Sequence, residues 1–147
     1  IRKFHDSDGI ALMHAKALGN ASARGGGPVA CHELADEIAA IRTVYDFGHI
    51  PIAHAQALVN AAIGESDPKV CRQYAADIRT IRELHDNSDL ALLHAKALCS
   101  ATVQQPDLGI RQLLADEIGD IRARYDSDDI RSLHTRALTS ARVVTEE

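Results

Sequence analysis

A forty-residue period constrains this chain more than any other feature of its sequence. Ile1-Arg2, Ile41-Arg42, Ile81-Arg82 and Ile121-Arg122 open four copies of one pattern, and His14, His54, His94 and His134 fall at the same place in each. Around the histidines the copies read IALMHAKALGNA, IPIAHAQALVNA, LALLHAKALCSA and IRSLHTRALTSA. Self-similarity at a fixed spacing of roughly 20 to 50 residues marks a stacked array. A unit this small cannot bury its apolar face alone, so neighbours must stack to share a core, and the stack leaves extended surfaces of the kind that bind other proteins. The expectation is a single domain over 1–147, with repeats at about 1–40, 41–80 and 81–120 and a partial, capping repeat at 121–147.

Each copy reads as two helices. In the third, Ser88 or Asp89 is placed to cap a first helix, A, that runs through LALLHAKALCSA to about Val103, and Pro106-Asp107 breaks it. A second helix, B, is expected from about Leu108 to Tyr125. Gly25 to Pro28 and Gly64 to Pro68 punctuate the earlier copies at the same place. Short acid-rich links, such as Asp46-Phe47-Gly48 and Asp86-Asn87-Ser88, return each helix B to the next helix A and suit helix N-termini. A and B should therefore alternate three times and close on a final A, seven helices after a short remnant of B at IRKFHD. That remnant implies an earlier part of the helix before Ile1.

On a helical wheel, Ile10, Met13, Ala17, Leu18 and Ala21 share one face of the first helix A, and Cys31, Leu34, Ala35, Ile38 and Ile41 share one face of the first helix B. The many alanines allow helices to approach to about 8–10 Å. In the fourth copy Arg131, Ser132 and Thr135 replace Ala11, Leu12 and Ala15. Polar residues where a following repeat would pack make this helix a C-terminal cap.

Composition narrows the function. No apolar run approaches the roughly 18 residues of a membrane span. A formal net charge of −5 opposes a protein built to grip phosphate backbones, so neither membrane nor nucleic acid is an expected partner. Cys31, Cys71 and Cys99 are odd in number and lack CxxC spacing, so they are expected as reduced thiols, with Cys31 and Cys71 buried on an apolar helical face, and the chain as cytoplasmic. With 3% aromatic residues and no Trp, the core must be Leu, Ile, Val and Ala, which favours packed helices over sheet.

A repeat of two antiparallel helices resembles the tetratricopeptide-like and HEAT-like solenoids over essentially the whole chain. Ala95 and Leu98 match the small and large residues of the tetratricopeptide signature, while Ala91 and His94 replace its aromatic and large apolar residues. The period exceeds the usual 34 or so of that family and lies near the HEAT and armadillo range. The chain is read as a divergent tetratricopeptide-like solenoid: all-α, right-handed, built of antiparallel helix pairs.

The histidine ladder invites a metal or catalytic reading, and geometry weighs against it. Equivalent residues of adjacent repeats sit about 10 Å apart, whereas ligands of one zinc each lie about 2 Å from it. Packing histidines, bonded within an apolar face, are expected instead; a binding role remains as the alternative. Arg2, Arg42, Arg82 and Arg122 each precede an aspartate by four residues, a helical ion-pair spacing, and are expected to fasten one repeat to the next. Cys31-His32-Glu33 contains the His-Glu dipeptide of iron-binding HEAT-like hydroxylases, but Arg72-Gln73 and Gln112-Leu113 stand in the other copies. Gly25-Gly26-Gly27 lacks the lysine and strand of a phosphate loop. No cofactor, metal or catalytic residue is expected.

The surface left for function is the side of helix A away from helix B and the next repeat. It carries Lys16, Gln56, Lys96 and Arg136 in one column and Asn20, Asn60, Ser100 and Ser140 in another. The resemblance implies that helix A lines the concave groove, where cations and amides would hold an extended acidic segment. The expected function is a noncatalytic scaffold that binds a protein or peptide partner, as monomer or weak oligomer. Two rivals are a metal-binding or enzymatic repeat protein that uses the histidines and a self-assembling structural module. An acidic column on helix B, Glu37, Asp77 and Glu117, is the alternative surface, suited to a basic partner.

Overall fold

The computed structural model describes residues 13–18, 21, 27–46 and 49–143, with the backbone alone at 27–29, 142 and 143. The protein is all-α. Helix α1 is described over residues 13–18, followed by α2 (Gly27–Arg42), α3 (Ile50–Gly64), α4 (Pro68–His85), α5 (Ser88–Gln104), α6 (Leu108–Arg124) and α7 (Asp128–Val143). The odd-numbered helices are the expected helices A and the even-numbered ones the helices B. The expected helix B remnant, Ile1 to Asp6, lies outside the described residues.

Side-chain caps start α4, α5 and α6, while α3 begins at His49 without one. The Asp67 carboxylate accepts from the Lys69 backbone N–H at 2.9 Å, and Asp107 accepts from Ile110 N–H at 3.0 Å. Pro68 occupies the first turn of α4, where its missing N–H costs nothing. At α5 the cap is Asn87, whose side chain accepts from Leu90 N–H at 2.9 Å, and neither Ser88 nor Asp89. An extended backbone at Asn87 is what sets its amide oxygen over the first turn.

Every helix from α2 onward packs on its neighbour in sequence. Helix B contributes a stripe repeated in each copy: Ala35, Ala75 and Ala115, then Ile38, Ile78 and Ile118, all nearly or wholly removed from solvent. Each buried Ile stabilises by about 1.5–3 kcal/mol. Helix A meets this stripe with Ile50, Leu90 and Ile130. The two layers differ. Backbones of α3 and α5, and of α5 and α7, approach directly, whereas no Cα of α2 comes within 8 Å of α4, nor of α4 to α6. Small residues explain the closeness, for Ala53, Ala57, Ala61, Ala97 and Ala101 are all buried on helices A.

The two ends of helix layer A show which face looks which way. On α7, Ala137 and Ala141 are buried while Arg131, Ser132 and Thr135 are exposed. On α1, Ala15 is buried while Met13, Ala17 and Ala21 are exposed. The Met13 face therefore corresponds to the face that α5 and α7 turn toward the preceding helix A. This corrects the wheel reading of the first copy, where Met13, Ala17 and Ala21 stood as core. Their counterparts Leu93, Ala97 and Ala101 are buried because α3 packs there. Among the described residues no helix is long and apolar enough to cross a membrane.

Candidate functional site

The histidine and arginine ladders turn out to be one device. Arg42 donates from Nη1 to His54 Nδ1 at 3.0 Å, Arg82 to His94 Nδ1 at 3.1 Å and Arg122 to His134 Nδ1 at 3.4 Å. The guanidinium has no lone pair to offer, so Nδ1 is the acceptor and the ring proton of each neutral imidazole sits on Nε2. The same arginines hold their aspartates: Arg42 to Asp46 at 2.7 Å, Arg82 to Asp86 at 3.0 Å and Arg122 to Asp126 at 3.5 Å. Each aspartate of the first two sets also receives a cation or N–H from the next helix B. His85 Nε2 donates to Asp46 at 2.8 Å, and Arg124 lies 3.3 Å from Asp86.

These contacts set the local electrostatics. Burial, then the charge of Arg42, depresses His54 to about 4, against a smaller opposing pull from Asp46. Burial opposes ionisation of Asp46, but hydrogen bonds from Arg42 and His85 outweigh it and hold the carboxyl below its ordinary range. His94 is buried, and Glu117 Oε2 lies 3.3 Å from its Nε2 yet outside hydrogen-bond alignment. Proximity of that imidazole, ahead of the opposing burial and aided by Arg79 and Arg82, lowers the Glu117 carboxyl. Of the ladder histidines only His94 is buried, and it is bonded through Nδ1 alone; His14, His54 and His134 are partly buried. Arg2 lies outside the described residues. Among the described residues no group of three or more His, Cys, Asp or Glu is arranged to hold a metal ion.

The expected groove columns are brought together in part. Lys96, Ser100 and Arg136 line one cavity of about 450 Å³ over α5, between the C-terminal end of α3 and the middle of α7. A space of this size lies in the range of sites that take a peptide side chain or a small ligand. Neither Lys96 nor Arg136 has an ion pair among the described residues, and both are exposed. Gln56 and Asn60 lie one helix away on α3 and bond each other, Nε2 to Oδ1, at 3.3 Å. Ser140 is one turn beyond Arg136, with its carbonyl accepting from Arg111 at 2.9 Å. Lys16 is exposed on α1, outside this cavity, and Asn20 lies outside the described residues.

Apolar side chains on the rim went unread in the sequence. Ile63 is 60% exposed and Val103 47%, and with Leu133 they edge the same cavity. Their signal was present. Ile63 and Val103 are equivalent in the repeat and stand three residues past Asn60 and Ser100, on the same side of helix A. Cys99 forms part of the wall, and burial raises its thiol against a smaller opposing effect of Arg136. The arrangement offers two cations beside an apolar rim, which suits a carboxylate next to an apolar side chain. The alternative acidic column is less uniform than its sequence: Glu37 is exposed, Asp77 accepts from Gln73 at 2.9 Å, and Glu117 is held by Arg79 at 3.6 Å and by His94.

Comparison of the chain with protein-family models, with curated proteins and with solved structures finds no match.

Proposed function

We propose that this chain is a noncatalytic interaction module, a right-handed α-solenoid of tetratricopeptide-like helix pairs that holds an acidic segment of a protein partner over its helices A. The observation that carries the reading is the pair Lys96 and Arg136. In a chain of net charge −5, two neighbouring helices present unpaired cations into one cavity rimmed by exposed Ile63 and Val103. Cations left without carboxylates, beside apolar surface left without cover, match a ligand that supplies both. Ser100 adds a hydroxyl, and Gln56 and Asn60 extend the polar track along α3 for the backbone of an extended segment. The three buried cysteines, in no disulfide, suit a reducing, cytoplasmic setting.

The test is fluorescence anisotropy with labelled peptides that alternate Asp or Glu with Leu or Ile, against counterparts carrying Asn and Gln. The acidic series should bind more tightly, and the preference should fade with salt, since exposed charges are screened over about 8 Å at physiological ionic strength. Lys96→Glu with Arg136→Glu should weaken binding by about tenfold or more, equivalent to about 1.4 kcal/mol. Adding Lys16→Glu should matter less. Equal binding of both peptide series, or an unaffected double variant with an unchanged melting curve, would remove this groove as the site.

A further inference from the structure

A second cavity, of about 360 Å³, lies on the other side of α5. Leu98, which forms part of its floor, is about 200° around that helix from Lys96. Because the backbones of α4 and α6 do not meet, a trough remains between them, floored by Leu98 and Leu114. Lys69, Arg72 and Arg79 of α4 form one wall, and Asp116, Glu117 and Asp120 of α6 form the other. Part of this charge is already engaged. Arg79 and Glu117 face each other across the trough at 3.6 Å, and Asp116 accepts from the neutral amide of Gln112 at 2.8 Å, which leaves its charge in place. Lys69 and Arg72 are different. Both are exposed, both line the same cavity, and neither has an ion pair among the described residues. Three residues apart on one helix, they are side-chain neighbours.

The cations break the repeat. Lys69 stands where other copies have Val29 and Gly109, Arg72 where they have His32 and Gln112, and Arg79 where they have Ala39 and Gly119. On the facing wall Asp120 replaces Ala40 and Thr80, and Leu113 on its rim, 66% exposed, replaces Glu33 and Gln73. The shared core is made by the Ile and Ala stripe, so packing does not call for these substitutions. In a chain of net charge −5 they bring three cations to one cavity and leave two of them unpaired.

We propose that this trough binds a phosphorylated segment of a partner protein whose flanking residues are basic. A phosphate ester brings a charge of about −1.5 to −2 and three acceptor oxygens to one point, which is what two adjacent unpaired cations can satisfy together. A single carboxylate would leave one of them unmatched, and a run of carboxylates would be repelled by Asp116 and Asp120. Helices α4 and α6 join α5 through links of two or three residues, so both run antiparallel to α5 and parallel to each other. Gln112, the repeat counterpart of Arg72, is therefore level with it, and Asp116 and Asp120 lie about 6 and 12 Å farther along at the helical rise. About two to four residues of extended chain cover that distance. A phosphoresidue seated on Lys69 and Arg72 sets basic residues of the same segment against those carboxylates, with an apolar residue between them over Leu113.

The probe is a labelled peptide with phosphoserine at its centre, a leucine on each side and a pair of lysines beyond each leucine, read by fluorescence anisotropy. It should bind about tenfold or more tightly than its serine counterpart. Lys69→Gln with Arg72→Gln should abolish that preference. Asp116→Asn with Asp120→Asn should weaken both peptides alike and leave the preference intact, which separates the work of the two walls. Circular dichroism checks that the variants fold; should a pair fail, Arg72→Gln or Asp120→Asn alone takes its place and should give the same effect in smaller measure. A wild-type chain that does not bind the probe, or a phosphate preference that is absent or survives the change at Lys69 and Arg72, overturns the proposal. Inorganic phosphate should displace the probe far less readily than the unlabelled phosphopeptide does; equal displacement would make this a site for the free anion and overturn the segment. Lys96→Gln with Arg136→Gln should bind the probe as the wild type does. Loss of binding there would place the phosphate in the first groove instead, so the two surfaces fail separately.

Discussion

The Arg82–His94 and Arg122–His134 pairs are the same residues at the same spacing in two surroundings. In the first, the arginine side chain is 14% exposed and the bond is 3.1 Å; in the second they are 41% and 3.4 Å. His94 has α6 beyond it, with Glu117 against its Nε2, whereas α7 is the last described helix and His134 has no such cover among the described residues. A repeated motif therefore specifies a bond, and the neighbouring repeat decides how far that bond is taken from water. Desolvation is what makes such a bond matter, since exposed pairs contribute little and buried ones leave a costly orphan when broken.

The sharpest test is His94→Ala against His134→Ala. Removing His94 empties a buried site and strips partners from Arg82 and Glu117, so urea unfolding should show a loss of about 2–3 kcal/mol. At His134 the loss should be about 1 kcal/mol or less; equal losses would break the comparison. His54 supplies a titration of the same device. Its folded value of about 4 lies below the ordinary histidine value of 6.5, so the unfolded chain binds the extra proton between them. The contribution is complete above pH 6.5 and is lost as pH falls toward 4, amounting to about 2 kcal/mol after allowance for its partial exposure. Unfolding midpoints across that range should show the slope, and His54→Gln should flatten it.

Arg82→Ala should cost about 1–2 kcal/mol and Arg122→Ala about 0.5 kcal/mol, read by the same unfolding curves. An effect as small, and of opposite sign, sits at Gly119, where an added Cβ would lie 3.0 Å from His134 Nε2. Because that ring is at the partly open end, it can shift, and the gain in helix propensity should leave Gly119→Ala stabilised by about 0.5 kcal/mol in thermal melts. A clear destabilisation would mean that the end copy is as tightly held as the central one.

Much of this architecture was visible in the residues. Helix order and boundaries followed from Pro68, Pro106 and the apolar spacing, because breakers and periodicity act locally. The cap of α5 was misplaced by one or two residues, since Asn87, Ser88 and Asp89 are all competent and only backbone angles choose among them. The Arg82–His94 bond, twelve residues long in sequence, was hidden because each partner had a plausible local role. Exposure of Met13 was equally unreadable: its wheel position is apolar in every copy, and only a neighbouring helix makes such a face interior. At the groove, polar columns drew attention, while Ile63 and Val103 passed as ordinary helix-end residues until their exposure was known.

Unequal spacing of the two helix layers has a mechanical consequence. Helices A meet backbone to backbone through alanine, so sliding or parting them disrupts close packing, whereas helices B stand apart and touch only through side chains that reach across. The softest bending mode is then a fanning of helices B about the line of helices A, like leaves about a binding. Anything wedged between α4 and α6, where Arg79 and Glu117 face each other at 3.6 Å, would hold that fan at one angle.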